Sequence, residues 1–170
     1  MTQRQSQEVS AADRERQAEE RRQRLTNWVS ELNAREPIPW APLKKPLSQS
    51  RLCLITSGGL YLPEQTPFAV ENREDFDVSY RELPSYIVSG FLIRHAHYDH
   101  TDAEQDINVV YPIDRLHEMA KEGVVKELAP TNYSITGYIP DPAPFLESTC
   151  KELPLKLWDQ EVDAALLAPA

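Results

Sequence analysis

The distribution of apolar and polar positions divides the chain into three parts. Residues 11–34 read as one helix, opened by a Ser10/Asp13 capping box. Its apolar stripe comes late, at Leu25, Trp28, Val29 and Leu32, the i, i+3, i+4, i+7 spacing of one helical face. The first half has no such stripe. It is either a solvated helix held by Glu–Arg pairs or an arm against a partner chain. Pro37, Pro39, Pro42 and Pro46 then forbid a helix and predict an extended connector, with Trp40 as its anchor. From Arg51 onward the pattern changes again. Arg51–Thr56 (RLCLIT) is a short apolar run ended by Ser57-Gly58-Gly59, which reads as a buried strand and a tight turn.

Further along, residues 62–68 and 71–82 read as loops, and 85–94 (SYIVSGFLIR) as a strand broken at Gly90. Val109-Val110-Tyr111 reads as a third strand. Pro112 opens a helix whose apolar face is Leu116, Met119 and Ala120, and Gly123 ends it. Residues 124–128 suggest a helical turn, 134–139 a strand or an ordered loop, and 162–168 (VDAALLA) a last strand. Strands interleave with helices. The predicted class is therefore α/β, with an open, mostly parallel sheet and flanking helices, preceded by a long N-terminal helix and a Pro-rich connector. The domain reading is a helical arm over 1–36, a connector over 37–50 and an α/β domain over 51–170.

Composition narrows the setting. The chain has 170 residues, 41% of them hydrophobic and 26% charged, which fits one domain with an appended segment. Net charge is −9, which argues against nucleic acid or an anionic membrane as a partner. The charged first residues carry no secretion signal, and no apolar run approaches a membrane span. With two cysteines only, Cys53 and Cys150, a reducing cytoplasm is expected rather than a disulfide framework.

The chemistry concentrates in residues 94–102, RHAHYDHTD. Three of the four histidines fall within six residues, with an aspartate among them: His95, His97, Asp99 and His100. An extended backbone would project 95, 97 and 99 from one face, whereas a helix beginning at His97 would pair His97 with His100. Either arrangement gathers donors suited to a divalent metal such as Zn or Fe. The same four residues can instead form a metal-free catalytic site that moves protons or holds an anion, or a hydrogen-bonded structural network. The motif resembles the zinc-binding HxHxDH signature of metallo-β-lactamase-fold hydrolases. That family draws further histidines from downstream, and here only His117 follows, inside the predicted helix. The chain also supplies too few strands for that fold.

Two other features are weaker. The Ser57-Gly58-Gly59 turn could offer N–H groups to an anion, but a tight turn that needs glycine explains it as well. Cys53 alternates within an apolar strand and reads as a small buried hydrophobe, and Cys150 lies in a polar stretch with no base at a known spacing.

Several stretches together resemble one family: LITSGGLYLPEQTPF (54–68), SYRELP (79–84), RHAHYDHTDAEQDINVVYPIDRL (94–116), EGVVKELAPTNYSITGYI (122–139) and VDAALLAPA (162–170). They are similar to the selenoprotein B component of glycine, sarcosine and betaine reductases and its shorter stand-alone relatives. The resemblance implies reductive cleavage of a C–N or C–heteroatom bond of an amino-acid-derived small molecule by a selenol or thiol. Electrons would come from a thioredoxin-like protein. It also implies a selenocysteine- or cysteine-containing redox pair just beyond Ala170. On that reading the chain is C-terminally truncated at a recoded stop and inactive as it stands, with the histidine cluster beside the missing group. The alternatives are a metal-dependent hydrolase or metal-binding protein built on His95, His97, Asp99 and His100, and a non-catalytic interaction module. A homodimer is expected, because the late helical stripe and an uncovered terminal strand both need apolar cover.

Overall fold

The computed structural model describes residues 41–170 throughout and, before them, residues 15, 16, 19, 20, 22–24, 26, 27, 29 and 30. The chain divides into two compact units, Met1–Pro42 and Leu43–Ala170, and the division falls inside the predicted connector. In the first unit the described residues before Ala41 are helical, and an exposed Glu19–Arg22 ion pair spans one turn at 3.1 Å. Leu25, Trp28 and Leu32 of the predicted stripe lie outside the described residues, as do Pro37, Pro39 and Trp40.

The second unit is built around strand β1 (Arg51–Thr56). Leu52 and Leu54 point into one core cluster with Leu83, Tyr111, Ile113 and Leu116, while Cys53 enters a second with Ala129, Tyr133 and Leu153. A strand buried on both faces must be apolar without alternation, which is why RLCLIT is a continuous run. Strand β7 (Ala164–Ala168) runs parallel along one edge of β1, from Leu52↔Ala164 to Thr56↔Ala168. The other edge takes two strands end to end, β5 (Glu127–Leu128) and β6 (Thr131–Ser134), both parallel. Strand β3 (Arg81–Pro84) closes the far side, antiparallel to β6. Two short strands, β2 (Leu60–Tyr61) and β4 (Leu92–Ile93), pair separately. The sheet is thus mostly parallel, as the interleaved pattern implies.

The pairing on the second edge changes register. Arg51 pairs with Glu127 and Leu52 with Leu128, but Ile55 pairs with Tyr133 and Thr56 with Ser134, so that edge gains two residues. The gap is filled by Asn132. Its Oδ1 accepts the Leu54 N–H at 2.8 Å, and its Nδ2 donates to the Tyr111 hydroxyl at 3.0 Å. The side-chain amide stands in for a missing backbone partner, satisfying a buried donor that would otherwise cost about 1–3 kcal/mol.

Four helices flank the sheet: α1 (Thr101–Gln105), α2 (Ile113–Lys121), α3 (Pro142–Glu147) and α4 (Thr149–Asp159). Helix α2 follows Pro112, buries Ile113 and Leu116, and stops before Gly123, whose φ of 75° favours a residue without a Cβ.

Other expectations need correction. Arg81–Pro84, read as partly loop, is strand β3, because its backbone pairs with β6 over four residues. Residues 85–90 are not a strand. The Ile87 N–H turns back to the Pro84 carbonyl and Gly90 has a φ of 82°, leaving only Leu92–Ile93 extended. Val109-Val110-Tyr111 is no strand either. Asp106 accepts the Asn108 N–H and caps a 3-10 turn over Ile107–Val109, a side-chain bond that overrides the β-branched run. The helical turn expected over 124–128 ends in β5; of the two readings of 134–139, strand or ordered loop, the loop holds, because β6 ends at Ser134.

Candidate functional site

In open parallel sheets, ligand sites form beyond the carboxyl ends of the strands. Here the ends of β1, β6 and β7 converge with the histidine loop. The Ser57 N–H donates to the Ala168 carbonyl at 3.0 Å, the Gly59 N–H to Ile135 at 3.0 Å, and the Ala170 N–H to the Ser57 hydroxyl at 3.0 Å. The Arg94 N–H donates to the Gly59 carbonyl at 2.9 Å, which ties the start of the histidine loop to the turn after β1. The approach is close: a Cβ on Gly59 would stand 2.4 Å from the Arg94 carbonyl oxygen, and the residue has a φ of 68°.

With the Gly58 N–H bound to Thr56 Oγ1 at 3.0 Å, all three N–H groups of Ser57-Gly58-Gly59 are used internally. The turn therefore presents none of them to an anion, and its glycines serve the close packing.

His95 is the buried member of the cluster, 7% exposed. Its Nε2 faces the Gly137 N–H at 3.1 Å and its Nδ1 the His97 N–H at 3.1 Å. A neutral imidazole has one lone pair for these two donors, and an imidazolium has none. Burial, then the neighbouring charges of His97 and His100, push its pKa down to about 4. His95 is thus a neutral ring pinned between two backbone segments.

His97 is exposed and stacks on Tyr138, with ring centroids 3.9 Å apart. Tyr98 donates its hydroxyl to the Gly58 carbonyl at 2.9 Å and packs its ring against His95 and His100. Burial and Glu104 push its pKa up to about 12, so it remains a donor. Asp99 accepts the N–H and hydroxyl of Thr101, the first residue of helix α1, at 3.0 and 2.7 Å. These bonds hold its carboxyl below the usual range. His100 Nε2 is buried without a hydrogen-bond partner, the only such side-chain atom among the described residues.

Residues 95–100 adopt neither of the two regular forms considered from the sequence; they form an irregular loop before α1. His95, His97 and His100 are brought together around Tyr98, whereas Asp99 turns to the helix start. Among the described residues no three His, Cys, Asp or Glu side chains are grouped to hold a metal ion. His117 lies on α2, half-buried, and donates Nε2–H to the Ser85 carbonyl at 2.7 Å. Ser57, from the candidate turn, completes the site together with Gly137 and Tyr138, which were not singled out in sequence. Gly137-Tyr138 lies within the family-like stretch 122–139, but nothing in its residue types points across the sheet to a histidine.

Cys53 is fully buried, with its thiol pushed up to about 12 by burial, so it is no thiolate nucleophile. Cys150 is half-buried in the first turn of α4. No described helix is long and apolar enough to cross a membrane.

The family model for glycine/sarcosine/betaine reductase selenoprotein B matches residues 21–170. The chain is 34% identical over 132 residues to D-proline reductase subunit gamma of Acetoanaerobium sticklandii, covering 77% of this chain and 53% of that one. It is 30% identical over 105 residues to sarcosine reductase complex component B subunit beta of Peptoclostridium acidaminophilum, covering 59% and 23%. It is 31% identical over 121 residues to glycine reductase complex component B subunit gamma of Carboxydothermus hydrogenoformans, covering 65% and 26%. The chain thus spans about half the length of the first relative and about a quarter of the other two. No solved structure matches it. Matched by the family model over most of its length, the chain belongs to the glycine/sarcosine/betaine reductase selenoprotein B family.

Proposed function

We propose that this chain forms one side of the active site of a selenol- or thiol-dependent reductase acting on the C–N bond of a small amino-acid-derived substrate. In the overall reaction the C–N bond breaks, the carbon gains hydrogen and the nitrogen leaves protonated. The two electrons come from a dithiol that ends as a disulfide. The observation that carries this reading is the meeting of Ala170, Ser57, Gly137 and His95 at the carboxyl edge of the sheet.

A selenol or thiol next to Ala170 would supply the reducing nucleophile. Gly137 has no side chain, and the Cβ it lacks would come within 3.1 Å of Ser57 Oγ and 3.5 Å of His95 Nε2, so its backbone packs closely against both. His95 acts as a positioning residue, since its ring is buried and held between the Gly137 and His97 backbone N–H groups, one of which its single lone pair can accept. His97, exposed on Tyr138, is the member placed to meet a substrate and to donate a proton to the departing nitrogen.

The relatives are named as subunits of reductases, which supports a multi-subunit assembly; a thioredoxin-like donor and a second copy of the chain are part of the proposal. The test uses the assembly purified from its native host, supplied with dithiol and with glycine, sarcosine, betaine or D-proline. Dithiol-dependent consumption of at least one substrate, abolished by alkylation and reduced by His97→Ala, is expected. No consumption of any of them, or consumption indifferent to alkylation, would overturn the proposal.

A further inference from the structure

A cavity of about 480 Å³ opens beside helix α1, away from the histidine loop: none of His95, His97, Asp99 or His100 lines it. Its size falls in the range of small-molecule sites. One wall is apolar, from Phe91, Ile93, Ala103 and Ile107, all continuous with the main core. The polar wall carries Glu104, Asp106 and Asp114, and no lysine, arginine or histidine lines the cavity.

The acidic groups do not neutralise one another. Asp106 spends Oδ1 on the Asn108 backbone and side-chain N–H groups, at 3.0 and 2.9 Å. Asp114 accepts from Asn108 Nδ2 through Oδ2 at 2.9 Å. Each therefore keeps its second oxygen free of these bonds. The nearby cation, Arg115, is engaged with Glu118 at 2.9 Å on the outer face of α2. The cavity thus combines an apolar wall with a negative one, Arg115 reaching Asp106 only through its field and not lining the space.

We infer that this cavity binds a small organic monocation: a protonated amine or guanidine carrying a short apolar body and no carboxylate. The apolar body would cover Phe91, Ile93 and Ala103, removing their surface from water. The charged nitrogen would face Asp106 and Asp114, with Glu104 adding longer-range attraction. A carboxylate on the ligand would meet three like charges. That separates the site from one for amino acids, and the inference does not rest on the reductase reading.

Benzylammonium is a suitable probe, with benzyl alcohol and benzoate as its neutral and anionic counterparts, titrated into the full chain and followed by backbone amide shifts. Benzylammonium is expected to give saturable millimolar binding, with shifts centred on Gly90, Phe91, Ala103 and Ile107. Benzyl alcohol should bind several-fold more weakly and benzoate not at all. Asp114→Asn and Glu104→Gln should each weaken benzylammonium roughly 3- to 10-fold at low salt. Glu104 is exposed and its side chain anchors no element, so its variant tests the charge even if Asp114→Asn unfolds the protein. Equal binding of the alcohol, an unchanged affinity in Glu104→Gln, shifts that map elsewhere, or no saturable shift would each overturn the inference.

Discussion

The Gly137 N–H meets Nε2 of His95 at 3.1 Å across 42 residues of sequence, and joins the exit of strand β6 to the histidine loop. The bond requires an unprotonated nitrogen. Its strength is therefore a function of pH. With the folded pKa near 4 and an unfolded value near 6.5, the unfolded chain binds the extra proton throughout that interval.

Stability is accordingly full above about pH 6.5, falls as pH drops towards about 4, and loses no more to His95 below that. The total is on the order of 3 kcal/mol. Urea unfolding at a series of pH values checks it. The slope between pH 6.5 and 4 should flatten in His95→Gln, and a slope unchanged by the substitution would refute it.

Gly59 and Gly123 both have positive φ, but they differ in space. A Cβ on Gly59 collides with the Arg94 carbonyl, whereas one on Gly123 meets nothing within 4 Å. Gly123→Ala should cost only the backbone term, about 1–2 kcal/mol. Gly59→Ala should cost clearly more, about 3 kcal/mol or above, since the collision adds to the strain. Denaturant midpoints of the two variants measure the difference, and equal losses would contradict the close approach.

Asn132 is fully buried and satisfies both Leu54 and Tyr111. Asn132→Ala should destabilise the protein by about 2–4 kcal/mol, because it leaves a buried N–H without a partner and opens a small void. Calorimetry gives the value. A loss below about 0.5 kcal/mol would mean that the sheet closes over the gap without this side chain.

The two thiols should separate kinetically. Cys53 is fully buried, with its pKa raised to about 12, and should react with an aromatic disulfide reagent only when the chain unfolds. Half-buried Cys150 should react in the native state. Two fast thiols in native protein would show that the core around Cys53 opens readily.

The parts of the fold legible in sequence are those where one local signal acts alone. RLCLIT is apolar on both faces and flanked by a glycine turn, so β1 is read with its limits, and Pro112 and Gly123 bracket α2. The losses occur where a side-chain bond or a distant strand decides. Asp106 turns a valine-rich run into a 3-10 turn, and RELP becomes a strand only because β6 lies beside it. Helix α4 escapes notice because it contains Pro154. In the site, the histidines announce themselves by density, but their division of labour does not. Nothing local says that His95 is locked by Gly137 while His97 stands free against Tyr138.

The two residues gained between β5 and β6 reach further than the strand that contains them. Each residue advances a strand by about 3.3 Å, so removing the pair would slide everything after Asn132 by about 7 Å along β1 and bring Ile139 to the height now held by Gly137. An even count preserves which side chains face the core, and so this slide would leave the sheet foldable while dismantling the histidine contact. The placement of the site is thus a matter of counting, set by a short excess of backbone that itself carries none of the groups that do chemistry.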